Sequence, residues 1–167
     1  MSSEFTVMNS NNTSRLIALK MVSAMSTGLF TGGALYVSCV DSPARMTHDA
    51  ASAITMWKPS FVRAKNIQSK LCILSSLSSF GVYGCIKDKS SDAMVWFGVG
   101  AAMLSILSIT YVFIAPQNEQ LIETENCIHV KGDEWIRENL DKWNRLHSIR
   151  TFISFSVLGV IAYVLAK

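Results

Sequence analysis

The stretch Trp143-Asn-Arg-Leu-His147-Ser-Ile-Arg150 lies where a charged segment meets the last apolar run of the chain, Thr151 to Ala166. Trp143, His147 and Arg150 are spaced i, i+4 and i+7, so on a helix they share one face. The run that follows contains no charge before Lys167, which favours a helix that enters a lipid bilayer. The stretch therefore predicts an aromatic ring, an imidazole and a guanidinium aligned at a membrane boundary.

The composition of the whole chain also favours a membrane protein. Half of its 167 residues are hydrophobic and only 16% are charged, whereas about a quarter of the residues in an average globular protein are charged. The net charge of +3 is small and the basic residues are scattered, so we expect no nucleic-acid partner. The lipid bilayer is the expected partner.

Four apolar segments predict an all-α fold, an integral membrane four-helix bundle with amphipathic loop helices on one face. The predicted spans are at about residues 21–40, 67–86, 93–115 and 149–166. The first and third contain no charge and are long enough to cross a bilayer. The second is rich in serine, which is typical of a helix that faces other helices. Residues 1–15 are predicted to be a mobile tail, and residues 16–167 to form the membrane domain.

Prolines and capping residues in the loop after the first predicted span predict where the helices of that loop begin and end. Asp41-Ser42-Pro43 is a start signal, with a capping side chain before a proline at the first helical position. It predicts an amphipathic helix over Ala44–Trp57. Lys58-Pro59 predicts the end of that helix, because the residue before a proline avoids the helical region.

Similar signals surround the second long loop. Pro116 predicts the end of the third span, and Asn118 is the predicted N-cap of a short helix over Glu119–Asn126. Gly132-Asp133 predicts the start of a further helix that can continue unbroken into the fourth span. In the first span, Gly28 and Gly32 form a G-x-x-x-G pattern, which predicts a close helix–helix contact.

The distribution of positive charge predicts the orientation of the bundle. Four spans place the long loops, residues 41–66 and 116–146, on the same side. These loops carry eight Lys and Arg residues, against four on the other side when residues at the span borders are left out. Cytosolic loops carry an excess of Lys and Arg, so both long loops are predicted to be cytosolic. The organelle is left open.

Side chains of chemical interest collect at that same end of the predicted bundle. Each follows or precedes a span: Arg45, Trp57, Asn118, Trp143, His147 and Arg150. An apolar pocket with a few convergent polar groups, set between the helices of a bundle, is the usual form of a ligand site. The order of the segments therefore predicts a pocket for an apolar small molecule at this end.

Three motifs in this order resemble a known family. They are Pro43-Ala44-Arg45 after the first span, Ile114-Ala-Pro116-Gln-Asn118-Glu-Gln-Leu121 after the third, and Trp143-x-x-x-His147-x-x-Arg150 before the fourth. Together they resemble the anthrone oxygenase-like membrane proteins, over about Leu16 to Ala166. The resemblance implies a four-span membrane protein. Some members oxidise anthrones to anthraquinones in polyketide pathways, and many have no known activity, so the fold carries over better than the reaction.

Such an oxidation assigns a role to each candidate residue. A proton must leave an activated CH₂ group before O₂ adds to the resulting carbanion or enolate. Neutral His147 is the candidate base, since histidine titrates near neutrality, and Arg150 or Asn118 can stabilise the oxyanion. Trp143 and Trp57 can stack on a flat polycyclic compound. Arg45 is a further candidate for substrate binding.

No metal or other cofactor is expected. The Glu-x-x-His pairs of di-iron bundles and the H-E-x-x-H motif are both absent from the sequence. His48, His129 and His147, with Glu119 and Glu123, are the residues that one would have to combine into a metal site. Their spacing does not follow a metal-ligand pattern.

Other interpretations of these residues stay open at this point. His147 and Arg150 can lie among lipid headgroups, with Trp143 in an aromatic belt. Asn118 can be only a helix cap, and Arg45 only a cytosolic anchor. The protein is then a non-enzymatic membrane subunit or assembly factor with a membrane protein partner, or a homo-oligomer. A small-solute carrier is disfavoured, because no charge lies in the middle of a span. Whether the chain is an enzyme is left open.

Overall fold

The computed structural model describes residues 2–86, 91–124 and 131–167, and the described residues are almost entirely helical. The elements, in chain order, are α1 (Ser2–Tyr36), a first π-helical turn (Val37–Asp41), α2 (Ser42–Arg45), α3 (Ala50–Cys85), α4 (Ser91–Ile109), a second π-helical turn (Thr110–Ile114), α5 (Ala115–Thr124) and α6 (Asp133–Ala166). The predicted all-α class is confirmed. Residues 2–15 belong to α1, and their mobility stays a prediction.

Three of the helical stretches are long and apolar enough to cross a membrane: Asn11–Arg45, Ser91–Glu123 and Asp133–Ala166. Large apolar side chains on these stretches are exposed, among them Leu29, Tyr111 and Phe152, which suits contact with lipid. α3, which contains the predicted span 67–86, is not among the three, and its crossing of a bilayer stays a prediction.

α3 packs against both α1 and α4, and α6 closes the bundle by packing against the same two helices. Small polar side chains make the closest contacts between α1 and α3. Ser23 Oγ lies 2.7 Å from Ser79 Oγ, and Thr27 Oγ1 lies 2.6 Å from Ser75 Oγ. The serines predicted to face other helices are therefore buried between helices, where each hydroxyl finds a partner.

Two apolar cores occupy different levels of the bundle. The inner core is built around Phe30, Trp96 and Met103, at the level of the apolar spans. The outer core is built around Trp57, Leu121, Leu140 and other side chains of α3, α5 and the first half of α6. The described parts of the segments 41–66 and 116–146, predicted as long loops, are therefore mostly helical and pack together. Their side of the membrane stays a prediction.

The predicted helix ends at Lys58-Pro59 and at Pro116 are wrong. α3 runs through Pro59, and α5 contains Pro116. A proline inside a helix costs about 3 kcal/mol, and around Pro59 the burial of Ile54 and Trp57 in the outer core offsets this cost. The predicted helix over Ala44–Trp57 is wrong as well, because α3 begins only at Ala50.

Pro43 and Pro116 share a local structure that explains why neither ends its helix. Each proline lies two residues beyond a π-helical turn, Val37–Asp41 or Thr110–Ile114. In both cases the carbonyl four residues before the proline, with which the ring would collide in an α-helix, belongs to the wider turn. The chain therefore passes each proline without a break.

The caps differ in part from those predicted. Asp49, rather than Asp41 or Ser42, caps a long helix, since its Oδ1 accepts a hydrogen bond from Ser52 N at 2.9 Å. This bond to the Ser52 backbone holds the pKa of Asp49 below its usual value. Gly132 caps α6 at φ 76°, a left-handed conformation that suits glycine. α6 then runs unbroken to Ala166, as predicted.

The predicted contact at Gly28 and Gly32 is wrong for Gly32. A Cβ placed on Gly32 would meet nothing within 4 Å, and one on Gly28 would come no closer than 3.9 Å to Leu158. The buried face of α1 carries Ser23 and Thr27 instead. The G-x-x-x-G pattern lies one residue out of phase with that face, so Gly32 points away from the bundle.

Candidate functional site

A cavity of about 450 Å³ lies where the inner and outer cores meet. Its volume is within the range of about 300–1,000 Å³ that is usual for small-molecule sites. Side chains from both π-helical turns and from α3, α5 and α6 line it. All six residues selected from the sequence are among them: Arg45, Trp57, Asn118, Trp143, His147 and Arg150. The structure therefore brings these residues together.

Aromatic rings form one wall of the cavity. Trp57 and Phe61 are stacked, with ring centroids 4.8 Å apart and an interplanar angle of 5°. Trp143 meets Trp57 edge-on, at 5.6 Å and 85°. On its other side, Trp143 stacks on His147 at 5.1 Å and 15°. This wall offers both faces and edges of rings to a flat ligand.

The amide of Asn118 is held by the indole of Trp143. Trp143 Nε1 donates a hydrogen bond of 2.8 Å to Asn118 Oδ1. Because an indole N–H can only donate, this bond identifies the oxygen of the amide and leaves its NH₂ group as a donor. Asn118 is therefore not the N-cap that its position after Pro116 predicted, since it lies inside α5 and contacts α6.

His147 lies inside the bundle, with only 2% of its surface exposed. Its Nε2 lies 3.3 Å from the carbonyl oxygen of Ala34 in α1. A carbonyl oxygen can only accept, so Nε2 carries the proton in this contact and Nδ1 of the neutral ring keeps its lone pair. Nδ1 is buried and has no hydrogen-bond partner. The imidazole thus has one nitrogen anchored and one without a hydrogen-bond partner.

Arg150 extends between α1 and α3. Its Nη2 donates a hydrogen bond to Oε1 of Gln68, and its guanidinium carbon lies 5.6 Å from the centre of the Phe30 ring. Its Nε is buried without a partner. The two groups that hold this cation are both uncharged.

Arg45 is buried too, at 4% exposure, and forms an ion pair with Asp41 one helical turn earlier. Its Nε also lacks a partner. A side chain in this position does not have the exposure of a cytosolic anchor. The Arg45–Asp41 pair forms part of the cavity wall next to the first π-helical turn.

Sequence reasoning missed Phe61 and Gln68. On α3, Trp57, Phe61 and Gln68 are spaced i, i+4 and i+11, which places them on one helical face. All three line the cavity. The signal was present as a single amide on an otherwise apolar stripe. It was hidden because the predicted helix end at Lys58-Pro59 separated Trp57 from the rest of the stripe.

The described residues contain no group of three or more His, Cys, Asp or Glu side chains placed to bind a metal ion. Of the residues considered for such a site, His129 lies outside the described residues. Cys72, the one buried cysteine among those described, donates to the carbonyl oxygen of Met103 at 2.9 Å and serves as a helix contact.

Comparison with known proteins gives one match. Neither the curated proteins nor the solved structures include a significant relative. The sequence profile of the anthrone oxygenase family matches residues 57–160, a stretch that contains every candidate site residue except Arg45. The match covers more than half of the 167 residues and most of the helical bundle. The chain therefore belongs to the anthrone oxygenase family.

Proposed function

We propose that the protein binds a flat, apolar phenolic compound in the cavity and oxidises an activated CH₂ group of that compound with O₂, as in the conversion of an anthrone to an anthraquinone. The observation that carries the proposal is the unpartnered Nδ1 of His147, a residue that lines a cavity with an aromatic wall. Family membership supports the same reaction class.

The aromatic wall suits the substrate. Rings such as Trp57 and Phe61 bury a large apolar area and prefer stacked or edge-on contacts with other rings. A polycyclic phenol can place its faces against this wall while its oxygen atoms reach the polar side of the cavity. Asn118 and Arg150 are among the polar residues that line the cavity.

The first step is removal of a proton from the CH₂ group. Nδ1 of His147 accepts the proton, and the electron pair of the C–H bond moves into the ring system, so that negative charge develops on the ketone oxygen. The NH₂ group of Asn118 and the guanidinium of Arg150 are donors that can stabilise this oxyanion. Burial makes such electrostatic stabilisation stronger than it is in water.

The remaining steps use O₂ as the oxidant. The carbanion is oxidised as O₂ forms a bond to its carbon, and return of the proton gives a hydroperoxide. Loss of one water molecule from the hydroperoxide leaves a carbonyl at the former CH₂ position. One O₂ is consumed and one H₂O is released, and the substrate supplies the electrons. The protein contributes orientation, a base and oxyanion donors.

Replacement of His147 by Phe tests this scheme. Phe keeps a flat ring next to Trp143 and removes both nitrogens, so turnover of anthrone should fall by roughly 10²–10⁴ if His147 is the base. The measurement combines O₂ uptake with the absorbance of the anthraquinone product, in detergent, after subtraction of the rate without protein. His48→Phe is the matched control, because His48 is exposed and outside the cavity.

The proposal fails if His147→Phe and His48→Phe turn over anthrone at the same rate while both remain folded. Absence of turnover in the unaltered protein, together with a stoichiometric partner after extraction in mild detergent, would favour the alternative of a non-enzymatic membrane subunit or assembly factor.

A further inference from the structure

The charged side chains around the cavity are unevenly matched. Arg45 is paired with Asp41. Lys65 and Glu119 carry opposite charges and are both exposed, so water screens them. Arg150 remains. None of the ion pairs among residues 2–86, 91–124 and 131–167 includes it.

Arg150 is partly buried, and its contacts provide only part of what a cation removed from bulk water needs. A guanidinium has five N–H donors and is the side chain best shaped to bind a carboxylate through two parallel bonds. One donor is used by the amide oxygen of Gln68, and Nε–H is buried without a partner. Gln68 and Phe30 offer a dipole and a ring, but no negative charge.

Burial of a cation is unfavourable unless it is paired. An anion has room to bind beside Arg150, because the cavity is lined by both Arg150 and Gln68. An anion there would complete the hydrogen bonding of the guanidinium and cancel its charge. The aromatic wall around Trp57 and Trp143 would hold the rest of the same molecule.

We propose that the cavity selects its ligand as an anion, namely a flat aromatic compound with an ionised oxygen group, of which a carboxylate fits best, paired with Arg150. The inference that this ligand is aromatic rests on the proposed function. The charge rests on the surroundings of Arg150 alone. Gln68 then acts as a positioning residue, which holds the guanidinium in the cavity without neutralising it.

The test compares two ligands of nearly equal shape, 9-anthracenecarboxylate and the neutral 9-anthracenecarboxamide. Their binding to the detergent-solubilised protein is followed by anthracene fluorescence, without any requirement for turnover. We expect the unaltered protein to bind the carboxylate at least about tenfold more tightly than the amide, as is typical of a buried charge pair. Equal affinities, or no binding of either ligand, would overturn the proposal.

Gln68→Glu is the decisive variant. It places a carboxylate of the same shape beside Arg150 and so supplies from within the protein the anion that the ligand would provide. The affinity for the carboxylate should fall by at least about tenfold, while the affinity for the amide stays close to its original value. Retained amide binding also shows that the variant is folded.

Two further variants separate charge from shape. Asn66→Asp makes the same amide-to-acid change on the exposed face of α3, outside the cavity, and should leave both affinities unchanged. Gln68→Met removes the hydrogen bond without adding charge and should keep the preference for the anion. Equal weakening of both ligands by Gln68→Glu would contradict the proposal.

The outcomes distinguish this proposal from the proposed function. If the protein prefers the carboxylate but does not oxidise anthrone, the proposed oxidation is refuted and the proposed anion site is supported. If turnover depends on His147 but the protein binds the carboxylate and the amide equally, the proposed anion site is refuted and the proposed oxidation is supported.

Discussion

The hydrogen bond between Trp143 and Asn118 determines which chemical group the amide offers to the cavity. The indole N–H donates to Oδ1 at 2.8 Å, so the amide NH₂ is the group left for a ligand. A donor that is already oriented needs no rearrangement when charge develops on a bound oxygen, which is the condition for effective oxyanion stabilisation.

Asn118→Asp tests the role of this donor. Aspartate keeps an oxygen acceptor for Trp143 and removes the NH₂ group, so on the proposed function the rate of anthrone oxidation should fall by about 10²–10³. Asn66→Asp, on the exposed surface of α3, is the control for the added charge. Turnover by Asn118→Asp at the rate of this control would show that Asn118 has no part in the reaction.

At the level of single residues, spacing was the reliable signal. Trp143, His147 and Arg150 share a face of one uninterrupted helix, so their approach to one cavity follows from the 3.6-residue period. Asn118 was selected together with them, but its hydrogen bond to Trp143 spans two helices. Gln68 was missed because the predicted helix end at Lys58-Pro59 hid the stripe that it shares with Trp57. Its hydrogen bond to Arg150 on α6 adds nothing to that local pattern.

Among the helices, the contact between α3 and α4 is unusually close. A Cβ placed on Gly100 would lie 2.8 Å from two ring atoms of Phe80. The carbonyl oxygen of Gly100 also accepts a hydrogen bond of 3.1 Å from Ser76 Oγ. The approach of the two helices therefore depends on the missing side chain at Gly100.

Gly100→Leu should destabilise the bundle, because a side chain at this contact must displace the Phe80 ring. Overpacking of this kind typically costs about 1–3 kcal/mol. Gly32→Leu, at a position with open space around it, is the matched control and should leave the melting temperature in detergent almost unchanged. Equal melting temperatures for the two variants would mean that α4 can move away from α3 at little cost.

The helix boundaries show what sequence rules at this level left out. Rules for proline describe α-helices, whereas the chain forms a π-helical turn just before Pro43 and again before Pro116. A π-helical turn is rare, and the proline rules for α-helices do not anticipate it. The G-x-x-x-G pattern did not predict the buried face of α1 for a related reason. The helices that pack against α1 determine which face is buried.

For the molecule as a whole, the orientation in the membrane is the main open prediction. The distribution of positive charge predicts that residues 41–66 and 116–146 lie on the cytosolic side. Asp141 lies at that end and Asp92 at the other, where it pairs with the C-terminal Lys167, and both aspartates are more than half exposed. Each offers a position for a single reporter cysteine.

In ER microsomes, whose cytosolic face is outward, a membrane-impermeant maleimide should label Asp141→Cys at once. Asp92→Cys should react only after the membrane is permeabilised. Both variants are made in a background in which the four natural cysteines are replaced by alanine, and the detergent-solubilised proteins serve as the labelling control. The reverse order of labelling would invert the orientation.

The architecture could be predicted because hydropathy and length are averages over many residues. The apolar runs, the serine-rich face of α3 and the unbroken course of α6 all followed from such averages. The shape and the lining of the cavity could not be predicted, because they depend on how two cores of different composition meet. A pocket at this end was predicted from chain order alone, and its walls required the helix contacts.

The length of α6 bears on the route by which a ligand would reach the cavity. With 34 residues it is about 51 Å long, well beyond the hydrocarbon thickness of about 30 Å, and Arg150 lies near its middle. With the apolar run Thr151–Ala166 in the hydrocarbon, as the sequence predicts, the cavity is level with the junction of lipid and water. An apolar ligand reaching it would arrive by lateral diffusion in the bilayer, at a concentration determined by its partition coefficient. Added lipid or detergent would then lower occupancy by surface dilution, even at a constant total amount of ligand.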